Sequence, residues 1–310
     1  MIKKYNELII SSGSIKGLSI IGALREFFKY YPLNNIEYYS GTSVGALICI
    51  LLNFGYNLYE IEEIVLNINF SMFQEIKVLN FIENCGFDNG IKFSNFLKAL
   101  FLTKKFNYNI TFKELYNLTN KTLTIVVTNI TKGVPEYHNH ITTPNLNILL
   151  SLRMSTNIPI LFSPIIYNNN YYADGALLDP FPYFYNKNTI KIGIWLFDNY
   201  EFNFINNYDM FFVNNTHNII TYIINLLKIM YINYIKKFYK KIPKDVININ
   251  YDYNTIDFNI NKNEKFKLIN IGKKKCKLYL NKIYKKNRKK YLSMKYFNLW
   301  KEKTIYKTIY

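Results

Sequence analysis

Apolar and polar positions follow two periods along this chain, and the changes of period mark its elements. Leu8-Ile9-Ile10 is a short unbroken apolar run ending at Ser11, the pattern of a buried strand. A loop follows, Ser12-Gly13-Ser14-Ile15-Lys16-Gly17. Leu18, Ile21, Leu24 and Phe28 then recur at the spacing of one helix face, and Pro32 ends that helix. Ile36 to Ser40 reads as a second strand and Val44 to Phe54 as a second helix, stopped near Gly55. The order strand, loop, helix, strand, turn, helix predicts a parallel α/β sheet. Residues 58–118 read as several helices. Leu123 to Thr128 is almost wholly β-branched and reads as a central strand. Leu146 to Met154 reads as a short helix and Ile190 to Leu196 as a strand. Ile219 to Tyr239 carries an apolar stripe at Ile220, Ile223, Leu227, Tyr231 and Tyr234, so an amphipathic helix is expected there. Residues 281–310 are basic, Tyr-rich and without breakers, and are expected to be helical. The expected fold is α/β: a three-layer α/β/α domain over residues 1–280 with a mainly parallel central sheet. Its site should lie at the C-terminal strand ends, and a basic tail over residues 281–310 follows.

Composition sharpens this in three ways. With 49% hydrophobic residues in 310, the chain can bury a sizeable core. Asn, Ile, Lys, Tyr and Phe share AT-rich codons, so a single Lys or Asn carries little weight. Glycine is scarce at 12, so each glycine at a tight turn carries more. The net charge of +18 is concentrated at the C-terminal end, where residues 262–310 hold 17 basic and two acidic residues. Such a field favours anionic surfaces, lipid headgroups or nucleic acid. A solvated charge run amplified by codon usage explains the tail equally well. Cys49, Cys85 and Cys276 are odd in number and far apart, which argues against a disulfide framework or a zinc site and fits a reducing compartment. The N-terminus lacks a secretory pattern and no apolar run reaches the length of a membrane span. The expectation is an intracellular, cytoplasmic protein with peripheral contact to anionic membrane through the tail.

Three segments carry chemistry. Gly41-Thr42-Ser43-Val44-Gly45 lies between a predicted strand and a predicted helix. A serine hydroxyl is a poor nucleophile unless it is exposed, aligned and next to a base. The G-x-S-x-G pattern puts serine at the apex of a sharp turn, with a helix N-terminus aimed at developing negative charge. The rival is an ordinary turn with Ser43 as helix N-cap. The loop Ser12–Gly17 can aim backbone amides at an oxyanion; it lacks the phosphate-binding pattern G-x-x-x-x-G-K-[ST]. Asp174-Gly175 reads on its own as a turn, unless a nucleophile needs its carboxylate. Histidine is scarce: His138, His140 and His217. Only His217 follows Asp174, as a Ser–acid–His triad requires, and no motif surrounds it. His138 and His140 share a face, but no carboxylate or cysteine cluster accompanies them, so no metal is expected.

These residues resemble the patatin-like phospholipases. Leu8 to Gly17 is similar to the family's strand and oxyanion loop, and Gly41 to Ala46 to its nucleophile elbow. Ser151 to Pro159 resembles the stretch before its second motif, and Asp174-Gly175-Ala176 that motif itself. Ile256 to Asn259 and Leu268 to Gly272 are similar to closing elements of bacterial-type members. The resemblance implies a lipid acyl hydrolase acting on phospholipid or neutral lipid, with Ser43 as nucleophile and Asp174 as its base. It implies an acyl-enzyme, an oxyanion hole from the amides of Gly13, Ser14 and Ile15, and no cofactor or metal; the tail itself carries no RNA-binding aromatic signature or zinc spacing, so no nucleic acid is expected. Lys16, Gly17, Gly41, Gly45 and Gly175 would support the motifs; a solvated Lys16 at a helix start is the alternative. The family's loop reads Gly-Gly-Gly-x-Arg/Lys-Gly, whereas Ser12 and Ser14 stand at its first and third glycines here. Either a serine accepts positive φ, at about 1–2 kcal/mol, or the loop shifts and loses a donor. The second outcome would leave a catalytically weak or inactive lipid-binding module.

Overall fold

Strand β1 (Glu7–Ile10) is buried along its whole length, because it has a parallel neighbour on each side and packed residues on both faces. It pairs with β2 (Tyr38–Thr42) and with β9 (Lys191–Phe197). The computed structural model describes residues 4–73, 75–197, 243–250 and 258–307, with side chains to residue 285. The predicted amphipathic helix Ile219–Tyr239, His217 and the Ile256-Asp257 pair lie outside the described residues.

Strand β4 (Thr122–Asn129) lies parallel beside β2, and β10 (Val246–Asn250) parallel beside β9. On β4, β5 (Val134–His138) and β8 (Asn170–Asp174) both pair antiparallel, and β7 (Ile165–Tyr167) pairs antiparallel with β8. The sheet order is β10-β9-β1-β2-β4-β8-β7, with β5 attached to β4. The architecture is thus the α/β class expected, a mainly parallel central sheet with flanking helices. A separate parallel pair, β3 (Gly86–Asp88) with β6 (Ile160–Phe162), was not legible in the sequence. Three-residue strands have no period to read.

Alternation in β1 sorts the core. Leu8 and Ile10 face the main cluster with helices α1 (Gly17–Phe27) and α2 (Val44–Asn53). Ile9 faces Phe181, Tyr183, Trp195 and Phe197 on the other side. Helix α1 ends before its apolar pattern does. The turn after it lets Tyr31 stack on Phe27 at 4.6 Å, and Tyr5 packs against both rings. The region 58–118 holds α3 (Leu58–Asn67), α4 (Val78–Asn84), α5 (Ile91–Thr103) and α6 (Phe112–Thr119). Asn57 and Thr111 start α3 and α6 through capping boxes with Glu60 and Glu114. Helix α7 (Ile148–Ser155) packs on β4. Helix α8 (Lys262–Lys307) runs unbroken through residue 280. It crosses α1 where Gly22 faces the Ile269 carbonyl and Gly272 faces the Ser19 carbonyl, each too close for a Cβ.

Candidate active site

The register of the sheet brings two distant segments together. Thr42, the last residue of β2, pairs with Val126 on β4, and Val127 pairs with Asp174, the last residue of β8. Ser43 follows Thr42, so Ser43 and Asp174 meet across the same point of β4. The Ser43 Oγ donates to Asp174 Oδ2 at 2.6 Å, and both residues are buried.

Ser43 stands between β2 and α2 at φ 56° and ψ −124°. This is a strained backbone for a residue with a Cβ. Its side chain makes no capping bond to α2, so the N-cap alternative does not describe it. Its amide donates to the Ser155 Oγ at 2.9 Å, and Ser155 donates to the Val126 carbonyl at 2.6 Å. One side chain from α7 therefore ties the apex of the turn to the central strand. The turn also needs Gly45, where a Cβ would lie 2.4 Å from the Ile10 carbonyl oxygen and 2.5 Å from that of Ser11. Gly41 is similarly closed by the backbone of Gly45 and Ala46.

Asp174 divides its two oxygens. Oδ1 accepts from the Ala176 amide at 2.8 Å, which is the turn the sequence suggested, while Oδ2 receives Ser43. Its backbone is held by the Asn157 carbonyl and the Thr128 hydroxyl. Burial pushes its carboxyl up to about 7, against the hydrogen bonds from Ser43 and the Ala176 amide. Gly175 lies where a Cβ would meet the Val126 carbonyl oxygen.

In the loop after β1, Ser14 takes the left-handed conformation, φ 46°. Of the two outcomes expected for the serine-substituted loop, the positive φ is the one adopted. Residues 14–16 form a single tight helical turn. The amides of Ser14 and Ile15 donate to no acceptor among the described residues, as is usual for a first helical turn. Both residues border the same cavity as Ser43; Gly13 does not. Lys16 is buried rather than solvated, and Gly17 packs under Val44.

The cavity, about 140 Å³, is walled by Val44, Leu47 and Leu51 of α2, Phe93 and Phe96 of α5, and other apolar residues. Ser43, Ser14 and Thr156 are its hydroxyl-bearing residues. Sequence reading missed this wall, because its residues come from six separate segments whose meeting only the fold decides. It also gave no role to Ser155, although Ser155 lies inside the Ser151–Pro159 stretch. His138 is engaged by Ser151 at 3.0 Å and Glu136 at 3.3 Å, and His140 stacks on Tyr116. No cluster of three metal-ligating side chains occurs among the described residues.

The profile of the family described as patatin-like phospholipase matches residues 8–185, from β1 past Asp174. A probable lipid hydrolase, 463L, of Invertebrate iridescent virus 6 is 34% identical over 205 residues, 63% of this chain and 69% of that protein. Uncharacterized protein R571 of Acanthamoeba polyphaga mimivirus is 28% identical over 287 residues, 90% of this chain and 95% of that protein. Triacylglycerol lipase 4 of Saccharomyces cerevisiae is 31% identical over half of this chain, which spans only 18% of the yeast protein. Among solved structures, VipD from Legionella pneumophila superposes with a TM-score of 0.58 at 16% identity, covering 90% of this chain and 67% of that one. That likeness extends the fold agreement beyond residue 185.

Proposed function

The chain belongs to the patatin-like phospholipases, lipid hydrolases, and on that footing we propose that it cleaves fatty acyl esters through a Ser43–Asp174 dyad. The observation that carries this is the 2.6 Å hydrogen bond from Ser43 Oγ to Asp174 Oδ2 at the head of an apolar cavity. Nucleophile and base within such reach is the geometry acyl transfer needs. A carboxylate with a pKa near 7 is also a stronger base than an ordinary aspartate.

In this reading the acyl chain lies in the cavity and places the ester carbonyl over Ser43. Ser43 Oγ bonds to the carbonyl carbon while Asp174 Oδ2 takes its proton. The oxyanion is held by the free amides of Ser14 and Ile15, beside the N-terminus of α2. Collapse breaks the ester C–O bond, and the leaving alcohol takes the proton from Asp174. Water then attacks the acyl-enzyme, giving its proton to Asp174, and the fatty acid leaves as Ser43 Oγ is reprotonated. The wall, apolar apart from Ser14, Ser43 and Thr156, suits an alkyl chain and offers a charged headgroup no charged counterpart, so the headgroup would stay outside. Phospholipid and neutral lipid are both compatible substrates, and the basic C-terminal residues would add contact with anionic membrane.

Purified chain on a fluorogenic long-chain ester tests this. Ser43→Ala and Asp174→Asn should each lower kcat by about 10³-fold or more. A fluorophosphonate should label Ser43 in the wild type and not in Ser43→Ala. Equal rates for wild type and Ser43→Ala would sink the reading and favour the lipid-binding module.

A further inference from the structure

Helix α4 has no buried residue although four of its seven residues are apolar. Val78, Leu79 and Ile82 stand 66–73% exposed, with Met72 and Ile76 beside them in sequence also exposed. A patch of this kind on a soluble face marks an interaction surface. A two-turn helix is too short to persist through its own propensity. The patch is continuous with the cavity. Phe73, next to Met72, and Phe93, at the start of α5, both wall it. So does Phe162, on the strand paired to β3 directly after α4. The outer face of this segment is therefore apolar, and its inner residues enclose the space proposed for the acyl chain.

The charges around the patch cancel. Glu75 pairs with Lys77 at 2.9 Å and lies 3.7 Å from Lys92. Glu83 is exposed and Asp88 is buried. Two exposed bases are thus balanced in number by two acids at the surface, and no positive excess draws the patch to anionic lipid. We infer that α4 and its flanks insert into a zwitterionic phospholipid surface, delivering lipid to the cavity. This is separate from any attraction exerted by the basic C-terminal residues. It rests on the reading of Ser43 as the nucleophile of a lipid hydrolase.

Cys85, at the end of α4, is exposed, whereas Cys49 and Cys276 are buried. A polarity-sensitive thiol dye on Cys85 therefore reports insertion. Docking is read on the Ser43→Ala chain, so it does not depend on hydrolysis. The expected result is a blue shift with phosphatidylcholine vesicles alone, unchanged at high salt. Leu79→Asp combined with Ile82→Asp should weaken partitioning by about 100-fold, at roughly tenfold per lost aliphatic contact. In the otherwise wild-type chain the same pair should abolish hydrolysis of vesicle substrate. Hydrolysis of a soluble monomeric ester should stay within about twofold, as for other surface changes. Should the double variant melt early, Ile76→Asn, which lies outside the helix, must weaken docking by about tenfold. Four results would each overturn the inference. They are no shift with phosphatidylcholine, a shift that needs phosphatidylserine and vanishes in salt, unaltered docking of the variants, and a dimer that the Asp pair dissociates. Absence of ester hydrolysis by the wild type would instead strike the proposed dyad.

Discussion

Ser43 and Asp174 each hold a state that the surrounding structure must impose. The backbone of Ser43 costs about 1–3 kcal/mol in that conformation, and the Ser155 bridge between Ser43 and β4 opposes its relaxation. Ser155→Ala leaves the buried Ser43 amide without its acceptor, so a loss of roughly 1–3 kcal/mol is expected in denaturant unfolding. Asp174 is costly in another way. Its carboxyl is raised from the usual 3.8 to about 7, so the folded chain keeps a proton that the unfolded chain releases. The stability this contributes is complete below about pH 4 and is lost as pH rises through 7. Three units correspond to about 4 kcal/mol. Asp174→Asn should therefore raise the melting temperature at pH 8, with little gain at pH 4. Catalysis runs the opposite way, since only the ionised carboxylate accepts a proton. The acid limb of kcat/KM should turn near pH 7 instead of near 4, which a pH–rate profile measures. Both residues are visible in the sequence as types at a spacing, but neither the shared hydrogen bond nor the shifted carboxyl is, because both arise from burial.

At the scale of elements, α2 was legible to within a residue, from the elbow before it and its apolar run. The cavity between α2, α3, α5 and β6 was not, since each element spends one face on it and periodicity cannot say which faces meet. Leu51 lies in that wall. Leu51→Trp should raise KM for long acyl esters by tenfold or more while short esters change little, because each methylene displaced is worth about 10-fold or more. Helix α8 shows the same limit. No pattern in its sequence names its partner. Gly272 abuts the Ser19 carbonyl of α1 so closely that Gly272→Val must part the two helices. A loss of about 1–3 kcal/mol is expected, read as a lower denaturant midpoint. Lys265, two turns earlier, donates to the Leu66 and Ile68 carbonyls and lies over the Phe70 ring. Since Phe70 walls the cavity, the basic helix also supports the candidate site.

For the whole molecule, charge and cavity act in different places. The net charge of +18 resides mainly in residues 262–310, so binding to anionic vesicles should exceed that to neutral ones, with the excess falling as salt rises. Vesicle sedimentation across salt measures this. Among the described residues no helix is long and apolar enough to cross a membrane. By itself the sequence determined the α/β class, four of the five parallel strands (β1, β2, β4 and β9, but not β10), the elbow and the acid turn. These depend on local periods and on glycines whose positions admit few backbones. Only the tertiary structure decided that β8 returns antiparallel, that its last residue meets Ser43 across Val126 and Val127, and which residues enclose the cavity. Pairing between segments 131 residues apart follows from sheet register and packing of the whole chain, to which no local pattern has access.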